Sequence, residues 1–460
     1  MEAGGASSER RRRRRRRSVG EDDGGGADRI SDLPDAVLGD IVSLLPTKEG
    51  ARTQILASRW RHLWRSAPLN LDCGDLAHWR PEHAAGVVSR ILSSHLGPCR
   101  RFCVFGIGTQ TDLTINTWLR SPALDNLQEL EFYQGQEMPL APIFRFSPTL
   151  RILSIGGFLL PDATAQGLQF PHVRQLKLVF ATISDCSLCS LIDGCPALEF
   201  LMMKECEGFL RLRINSLTLR GICLDNYGNQ RYNVQLNELI IDNAPCLERL
   251  LLHFRTCVNI SVLAAPKLET IGFLSDHSGM SSQDQLNRLV LGSTVIQGLH
   301  IDKLATVMCT VKILGVQMKA LSLDMIIELM TCFPCLEKLY IWASKSGPKN
   351  LWRRKNQNLI KYLDISLKTI VLTSYSGIKS QVNFVTFFVL NARVLESMTL
   401  GVDSKHYSDE FLAEQRMKLQ LENRASRCAR FDFTTEQSIR YYWCMNDVRD
   451  LEIDPFAQRC

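Results

Sequence analysis

The sequence predicts a solenoid of the α+β or α/β class, with a small three-helix unit before it and a cap after it. Three observations lead to this prediction. A short apolar pattern recurs along most of the chain, helix-like segments stand between several of its copies, and a compact amphipathic stretch precedes them. At 460 residues the chain is long enough to bury a large core. Two or three structural units are therefore expected.

The first predicted unit spans residues 28–72 and has the pattern of three short helices. Asp32 is predicted to cap a helix that has Pro34 in its first turn and ends at Pro46. Thr47 is predicted to cap a second helix, and TQILASRWRHLW predicts a third. One core of this size supplies only ~3–5 kcal/mol, and the apolar residues exceed what three short helices hide from one another. The sequence therefore predicts that this unit packs partly against another protein.

The repeated pattern is an apolar residue, two others, an apolar residue, one other and an apolar residue. Its copies begin at Leu127, Leu150, Val173, Leu198, Ile214, Leu236, Leu247, Leu268, Leu336, Leu367 and Leu395. The first three intervals are 23, 23 and 25 residues, within the ~20–29-residue period of leucine-rich repeats. Each copy alternates as a strand does, and segments such as CSLCSLIDGCPA and MIIELMTCFPC predict helical returns. Intervals of 16 and 11 residues in mid-chain make the array irregular. Leucine-rich repeats are expected over residues 100–355.

The last part of the chain, LKTIVLTSYSGIKSQVNFVTFFVLNARVLESMTL, predicts a strand, a turn, an amphipathic helix and a second strand. We expect residues 360–460 to form a C-terminal region. Its physical role would be to shield the apolar end of the solenoid, since terminal repeats expose a face that internal repeats bury.

Three stretches carry a resemblance to one plant family. DRISDLPDAVLGDIVSLLPTKEGARTQILASRWRHLW resembles the F-box, the recurring P-x-L-E-x-L element is similar to the leucine-rich repeats of plant F-box proteins, and the end of the chain resembles their FBD-type region. In that family the Leu-Pro start and the apolar face of the first helix dock on a Skp-type adaptor, which links to a cullin and a RING protein. The resemblance implies adaptor contacts from Leu33, Pro34, Leu38, Ile41, Leu45 and Trp60.

The resemblance also implies a function. The chain would be the substrate-recognition adaptor of an SCF-type E3 ubiquitin ligase, with the F-box at residues 28–72 and the repeats holding a substrate protein that the sequence does not identify. Such a subunit is not an enzyme and needs no cofactor, because it acts by bringing substrate lysines near a ubiquitin-charged enzyme. Localisation in the nucleus, the cytoplasm or both is expected.

Residues 1–27 are expected to form a disordered tail, because a block of like charges cannot collapse on itself. The block consists of Arg10, Arg11, Arg12, Arg13, Arg14, Arg15, Arg16 and Arg17. These arginines contribute +8 to a formal net charge of +6, so the rest of the chain carries −2. The block is either a nuclear localisation signal, a tether to nucleic acid or phosphate, or a low-complexity tail without a role. An alternative function follows: a nuclear, nucleic-acid-associated repeat scaffold, although nucleic acid is not the partner the rest of the sequence favours.

Sixteen cysteines are scattered through the chain, mostly beside aliphatic residues, which indicates reduced structural thiols. Two CxxC pairs, at Cys186 and Cys332, lie inside the leucine pattern and are interpreted as structural. A looser group has zinc-ligand chemistry but the spacing of no compact finger, so no metal site is predicted; it consists of Cys73, His78, His83, Cys99 and Cys103. The sequence also has no catalytic motif of the common hydrolase or nucleotide-binding types, no apolar stretch of membrane-spanning length and no pattern of a secretory signal.

Overall fold

A computed structural model describes most of the chain from Ile30 onward. The described residues are Ile30, 32–76, 81–105, 112–133, 141–226, 236–254, 256–276, 288–304, 306–343, 364–435 and 444–457. The α-helices are α1 (Asp35–Ser43), α2 (Thr47–Arg52), α3 (Trp60–Ser66), α4 (Pro81–Ser94), α5 (Asp112–Leu119), α6 (Asp162–Ala165), α7 (Asp185–Asp193), α8 (Leu323–Cys332), α9 (Lys379–Asn391), α10 (Asp409–Lys418) and α11 (Met445–Arg449). Short 3₁₀ helices lie at Thr53–Ile55, Cys73–Leu76, Pro122–Leu124, Phe144–Phe146 and Leu421–Asn423.

The strands form two sheets. They are β1 (Leu69–Asp72), β2 (Cys99–Val104), β3 (Glu129–Tyr133), β4 (Ile152–Leu160), β5 (Gln175–Ile183), β6 (Phe200–Lys204), β7 (Arg211–Asn215), β8 (Gly221–Asn226), β9 (Glu238–Asn243), β10 (Arg249–Phe254), β11 (Asn259–Val262), β12 (Thr270–Ser275), β13 (Arg288–Leu291), β14 (Thr294–Gln297), β15 (His300–Lys303), β16 (Ile313–Met318), β17 (Lys338–Ala343), β18 (Thr369–Tyr375), β19 (Ser397–Val402) and β20 (Arg430–Thr435). The larger sheet has 14 strands in the order β1-β2-β3-β4-β5-β6-β8-β10-β12-β16-β17-β18-β19-β20. The smaller has six, in the order β15-β14-β13-β11-β9-β7.

The large sheet confirms the predicted solenoid. Neighbouring strands pair in parallel, as β3 with β4 and β4 with β5 do. In each predicted copy except that at Ile214, the strand begins two residues after the first residue of the copy. The segments predicted as helical returns form α7 and α8, and the predicted strand, turn, helix and strand near the end of the chain are β18, α9 and β19. The periodic apolar residues of successive units therefore stack into one continuous core.

The irregular spacing in mid-chain has a structural cause. Ile214 lies in β7 of the small sheet, so its copy does not lead into a strand of the large sheet and that prediction is wrong. The large sheet instead takes its next strand after Leu219, and later another after Val311. Leu236 begins a copy that also joins the small sheet. Between β6 and β16 the returns are thus strands of a second sheet, and the short intervals arise because copies in both sheets were counted as one series.

The N-terminal helices begin differently from the sequence prediction. Pro34 occupies the N-cap position of α1 with extended backbone, and no side chain caps the helix, so the predicted cap by Asp32 is wrong. Thr47 is the first residue of α2 and does not cap it. The predicted third helix is divided into the 3₁₀ turn Thr53–Ile55 and α3. Negative charge still favours the start of α1, because Asp35 lies in its first turn.

The helical unit is fixed to the edge of the large sheet by polar contacts with β1 and the turn after it. Asn70 donates from Nδ2 to the carbonyl of Ser43 at the end of α1, at 2.7 Å. Asp75 accepts the backbone N–H of Thr47 at 2.8 Å, which places a carboxylate at the start of α2. The Thr47 hydroxyl donates to the Asn70 carbonyl at 3.1 Å and accepts the N–H of Asp72 at 2.9 Å. We call these contacts the β1 clasp.

A buried histidine gives the packing of α3 a predicted pH dependence. His95 Nε2 lies 2.9 Å from the Ala67 carbonyl, and its ring meets the edge of Trp64 at 5.2 Å. Burial lowers the pKa of His95, against an opposing effect of the hydrogen bond to Ala67. The folded chain thus favours the neutral ring. The contribution of His95 to the free energy of unfolding is therefore complete above the ordinary pKa of 6.5 and is lost as pH falls below it. Thermal unfolding at pH 7.5 and 5.5 should show a larger drop for the wild type than for His95→Gln; equal drops would contradict this account.

None of the helices in the described part of the chain has the length and apolar character that crossing a bilayer requires.

Candidate functional site

Helix α1 has two apolar faces. Leu38 and Val42 point into the helical unit and are 0% and 2% exposed. A neighbouring face, continued by the two residues after the helix, carries apolar residues at the helical spacing i, i+4, i+7 and i+8, and these side chains are exposed. They are Val37, Ile41, Leu44 and Leu45, exposed by 42%, 44%, 81% and 37%. We call this set the α1 outer face. Exposed apolar residues grouped in this way typically mark an interaction site.

The residues predicted to contact an adaptor fall into two groups. Ile41 and Leu45 lie on the α1 outer face, Pro34 is exposed just before it, and Leu33 and Trp60 are half-buried. Leu38 differs from these, because its side chain is fully enclosed by the chain itself and does not reach the surface. The sequence pattern predicted one broad apolar face for α1 and did not separate its buried residues from its exposed ones.

The start of α1 is held in place by α3. The guanidinium of Arg59 donates to the Asp35 carboxylate at 2.7 Å and to the carbonyl of Leu33. These bonds fix the Leu33-Pro34 pair against the helical unit.

Two apolar residues at the end of the 3₁₀ turn that follows α2 are also exposed. Ile55 and Leu56 were not predicted as contacts and are 84% and 65% exposed. Their position between two helices gives no periodic signal in the sequence.

The large sheet has a second surface of interest, the side turned away from the main core, which we call the outer sheet face. Over β1 to β3 this face is charged. Arg101 Nη2 lies 2.9 Å from Glu131 and 3.5 Å from Asp72, and its Nε lies 3.6 Å from Glu129. Burial raises the pKa of Glu129, although Arg101 opposes this. These four side chains are partly exposed, so one arginine and three carboxylates are held together on the surface of β1 to β3.

Further along the chain the outer sheet face is apolar and covered. The side chains from β6 to β17 form a second hydrophobic cluster, separate from the main core, together with residues near the C-terminus. Its members are Phe200, Met202, Cys223, Leu251, Phe273, Tyr340, Trp342, Val448 and Phe456. Val448 and Phe456 belong to residues 444–457, which we call the C-terminal segment. This segment contributes a helical turn, α11, and no strand among its described residues.

Two aromatic residues stand exposed at the carboxyl ends of strands. Phe105 directly follows β2 and is 61% exposed, while Phe180 lies near the end of β5 and is 64% exposed. Phe180 has a φ of 51°, in the left-handed region that costs a bulky residue energy. Exposed aromatics in strained backbone are typical of interaction sites, and the repeat pattern did not indicate either one.

The cysteines do not form a metal site in the described part of the chain, where three or more metal-ligating residues nowhere converge. Cys73, Cys99 and Cys103 are buried, and burial raises the pKa of each thiol, to about 12 for Cys99 and Cys103. Such thiols stay protonated near neutral pH. His83 is exposed, and His78 lies outside the described residues. Burial likewise raises the pKa of Cys332 to about 11, while Cys335 is exposed.

The parallel strands, their helical returns and the repeat period define this chain as a leucine-rich-repeat protein. A family model described as "FBD-associated F-box protein At5g56370, LRR repeats" matches residues 115–341, and the FBD model matches residues 355–400. The chain thus carries the LRR and FBD regions of plant F-box/FBD/LRR-repeat proteins, as the resemblance of its sequence implied.

Three Arabidopsis thaliana relatives illustrate the match. F-box/FBD/LRR-repeat protein At3g26920 is 24% identical over 395 residues, which cover 82% of this chain and 89% of the relative. FBD-associated F-box protein At1g66310 is 23% identical over 413 residues, covering 82% and 90%. F-box/LRR-repeat protein At3g03360 is 26% identical over 263 residues, covering 54% of this chain and 52% of the relative. In that third match the chain spans about half of the relative's length.

Proposed function

We propose that this protein is the substrate-recognition subunit of an SCF-type E3 ubiquitin ligase. Residues 28–72 act as the F-box and bind a Skp-type adaptor, and through it a cullin and a RING protein. The repeats hold the substrate protein. The chain has no catalytic centre of its own in this proposal, because it works by raising the local concentration of substrate near the ubiquitin-charged enzyme. It would act in the nucleus, the cytoplasm or both.

The observation that carries the proposal is the α1 outer face. The side chains of Ile41, Leu44 and Leu45 are exposed next to the buried stripe of α1, beside a Leu33-Pro34 pair that Arg59 holds in place. A helix that is apolar on two faces buries the second one against a partner. The resemblance to plant F-box proteins supports a Skp-type adaptor as that partner. The proposed contacts are Leu33, Pro34, Ile41, Leu45 and Trp60, with Val37 and Leu44 added and Leu38 left out.

We expect the triple variant Leu33→Ala, Pro34→Ala, Ile41→Ala to lose adaptor binding. Each substitution removes apolar area at or near the surface of α1, where a central hot spot typically costs ~2 kcal/mol or more when truncated. Their combined loss should weaken binding by at least about 100-fold. A pull-down of purified Skp-type adaptor by the full-length chain measures this, with circular dichroism to show that the variant keeps its fold.

Two controls make the result specific. Leu217→Ala removes a similarly exposed leucine, 67% exposed and far along the chain, and should bind adaptor as the wild type does. Deleting Arg10–Arg17 should also leave binding unchanged, whereas the nucleic-acid scaffold would lose its main, salt-dependent interaction. That arginine run lies outside the described residues. Failure of the folded wild-type chain to bind adaptor would refute the proposal.

A further inference from the structure

The C-terminal segment lies on the outer sheet face across the middle of the repeats. Its α11 contacts β6 and β8, and Phe456 reaches Tyr340 and Trp342 of β17. Val448 and Phe456 are 0% and 5% exposed. The main core on the other side of the sheet is already closed by the helices and the small sheet. The segment therefore packs on a surface that is separate from the main core.

The sheet holds the backbone of this segment through one buried arginine. Arg249 of β10 is 2% exposed. Its guanidinium donates to the carbonyl of Asp447, to that of Asp450 at 2.9 Å, to that of Leu451 at 3.2 Å and to that of Ile453 at 2.8 Å. These carbonyls lie at and after the end of α11. Charge-assisted bonds of this kind recognise a helical turn by its exposed carbonyls, whatever its side chains.

A second part of the surface recognises side chains. Asp454 accepts from Lys338 Nζ at 2.9 Å and from the Tyr340 hydroxyl at 2.8 Å. Two residues later, Phe456 stacks on Tyr340 with ring centroids 4.7 Å apart and meets the edge of Phe273 at 5.6 Å. The surface thus binds a carboxylate through Lys338 and Tyr340, and an aromatic ring two residues later through Tyr340 and Phe273.

The surface is shaped around this occupant. Gly315 leaves room for Phe456, since an added Cβ would lie 2.8 Å from its ring, and Gly221 leaves room for Val448, whose carbonyl oxygen a Cβ would approach to 2.8 Å. Phe273 has a φ of 51° and joins the outer cluster at the point where the β12 register shifts.

We propose that the outer sheet face between β6 and β17 is a binding surface for a segment of another protein, and that the C-terminal segment is its intramolecular ligand. The partner segment would carry a helical turn, then an acidic residue two positions before an aromatic one, and would displace the C-terminal segment on binding. This inference deepens the proposed function and rests on it, because it locates where the repeats hold their substrate. Buried arginine and aromatic anchors are the residues that dominate protein interfaces.

A labelled peptide of residues 444–457 tests the proposal on the full-length chain. The double variant Asp454→Asn, Phe456→Ala weakens the protein's own segment while keeping Arg249, Lys338 and Tyr340. The peptide should bind this variant at least tenfold more tightly than it binds the wild type, whose tethered segment competes at a high effective concentration. A peptide carrying the same two substitutions is the matched control and should not bind. Equal binding to both chains, or no binding to the variant, would overturn the proposal.

Hydrogen exchange on the wild type provides a test that does not depend on the variant. Amides of the C-terminal segment should exchange through a local opening, well before those of β10 and β17. Exchange of all three only together would mean that the segment is an integral part of the fold, and would overturn the proposal. A concentration-dependent dimer that the free peptide dissociates would also overturn it, in favour of a second copy as the occupant. Adaptor binding should be the same in both chains, so a failure there concerns the proposed function and not this surface.

Discussion

Replacing Phe388 with alanine is expected to lower the free energy of unfolding by about 3–5 kcal/mol. Phe388 is 0% exposed and lies in α9, where its ring centroid is 5.1 Å from that of Phe384 and 5.0 Å from that of Phe387. Deleting the ring leaves a cavity. The neighbouring rings could fill it only by giving up their present contacts. Chemical denaturation with hydrogen exchange at β18 and β19 measures the loss and shows where it falls.

The same helix provides the control for this prediction. Leu390 is 39% exposed, so Leu390→Ala should change stability by only about 0.5 kcal/mol. Similar losses for the two variants would mean that α9 contributes through helix formation alone rather than through its packed ring cluster.

Leu38→Ala and Ile41→Ala are expected to separate stability from binding. Leu38 is 0% exposed, so its truncation should cost about 2–5 kcal/mol and loosen the helical unit. Ile41 is 44% exposed, so its truncation should leave stability almost unchanged while weakening adaptor binding. Thermal unfolding and adaptor pull-down on the same preparations give both readouts. The opposite pattern, with a stable Leu38→Ala and an unfolded Ile41→Ala, would show that the two faces of α1 are exchanged.

The repeats were predictable from the sequence because each strand is read by one local pattern. The copies at Leu127, Leu150 and Val173 lead into β3, β4 and β5 with the same offset of two residues. Alternation of apolar residues, however, says only that a segment is a strand with one buried face. It does not say which sheet the strand joins, so the copies at Ile214 and Leu236 were counted with those of the large sheet and the small sheet was not predicted.

The C-terminal segment escaped prediction for a related reason. Arg249 contacts residues about 200 positions later in the chain, and no local pattern connects them. Phe273 meets Phe456 from a left-handed backbone conformation, which a bulky residue rarely adopts. In the candidate site, spacing identified Ile41 and Leu45 as apolar positions of α1, but exposure depends on how α1 meets α3. That contact placed Leu38 inside.

The β1 clasp determines how the helical unit is joined to the repeats. A flexible linker would let a bound substrate sample many positions, with an effective concentration set by the linker's length. Here Asn70, Thr47 and Asp75 tie α1 and α2 directly to the first strand of the sheet. Under the proposed function the helical unit and the repeats would move as one rigid body, so substrate lysines would be selected by direction as well as by distance.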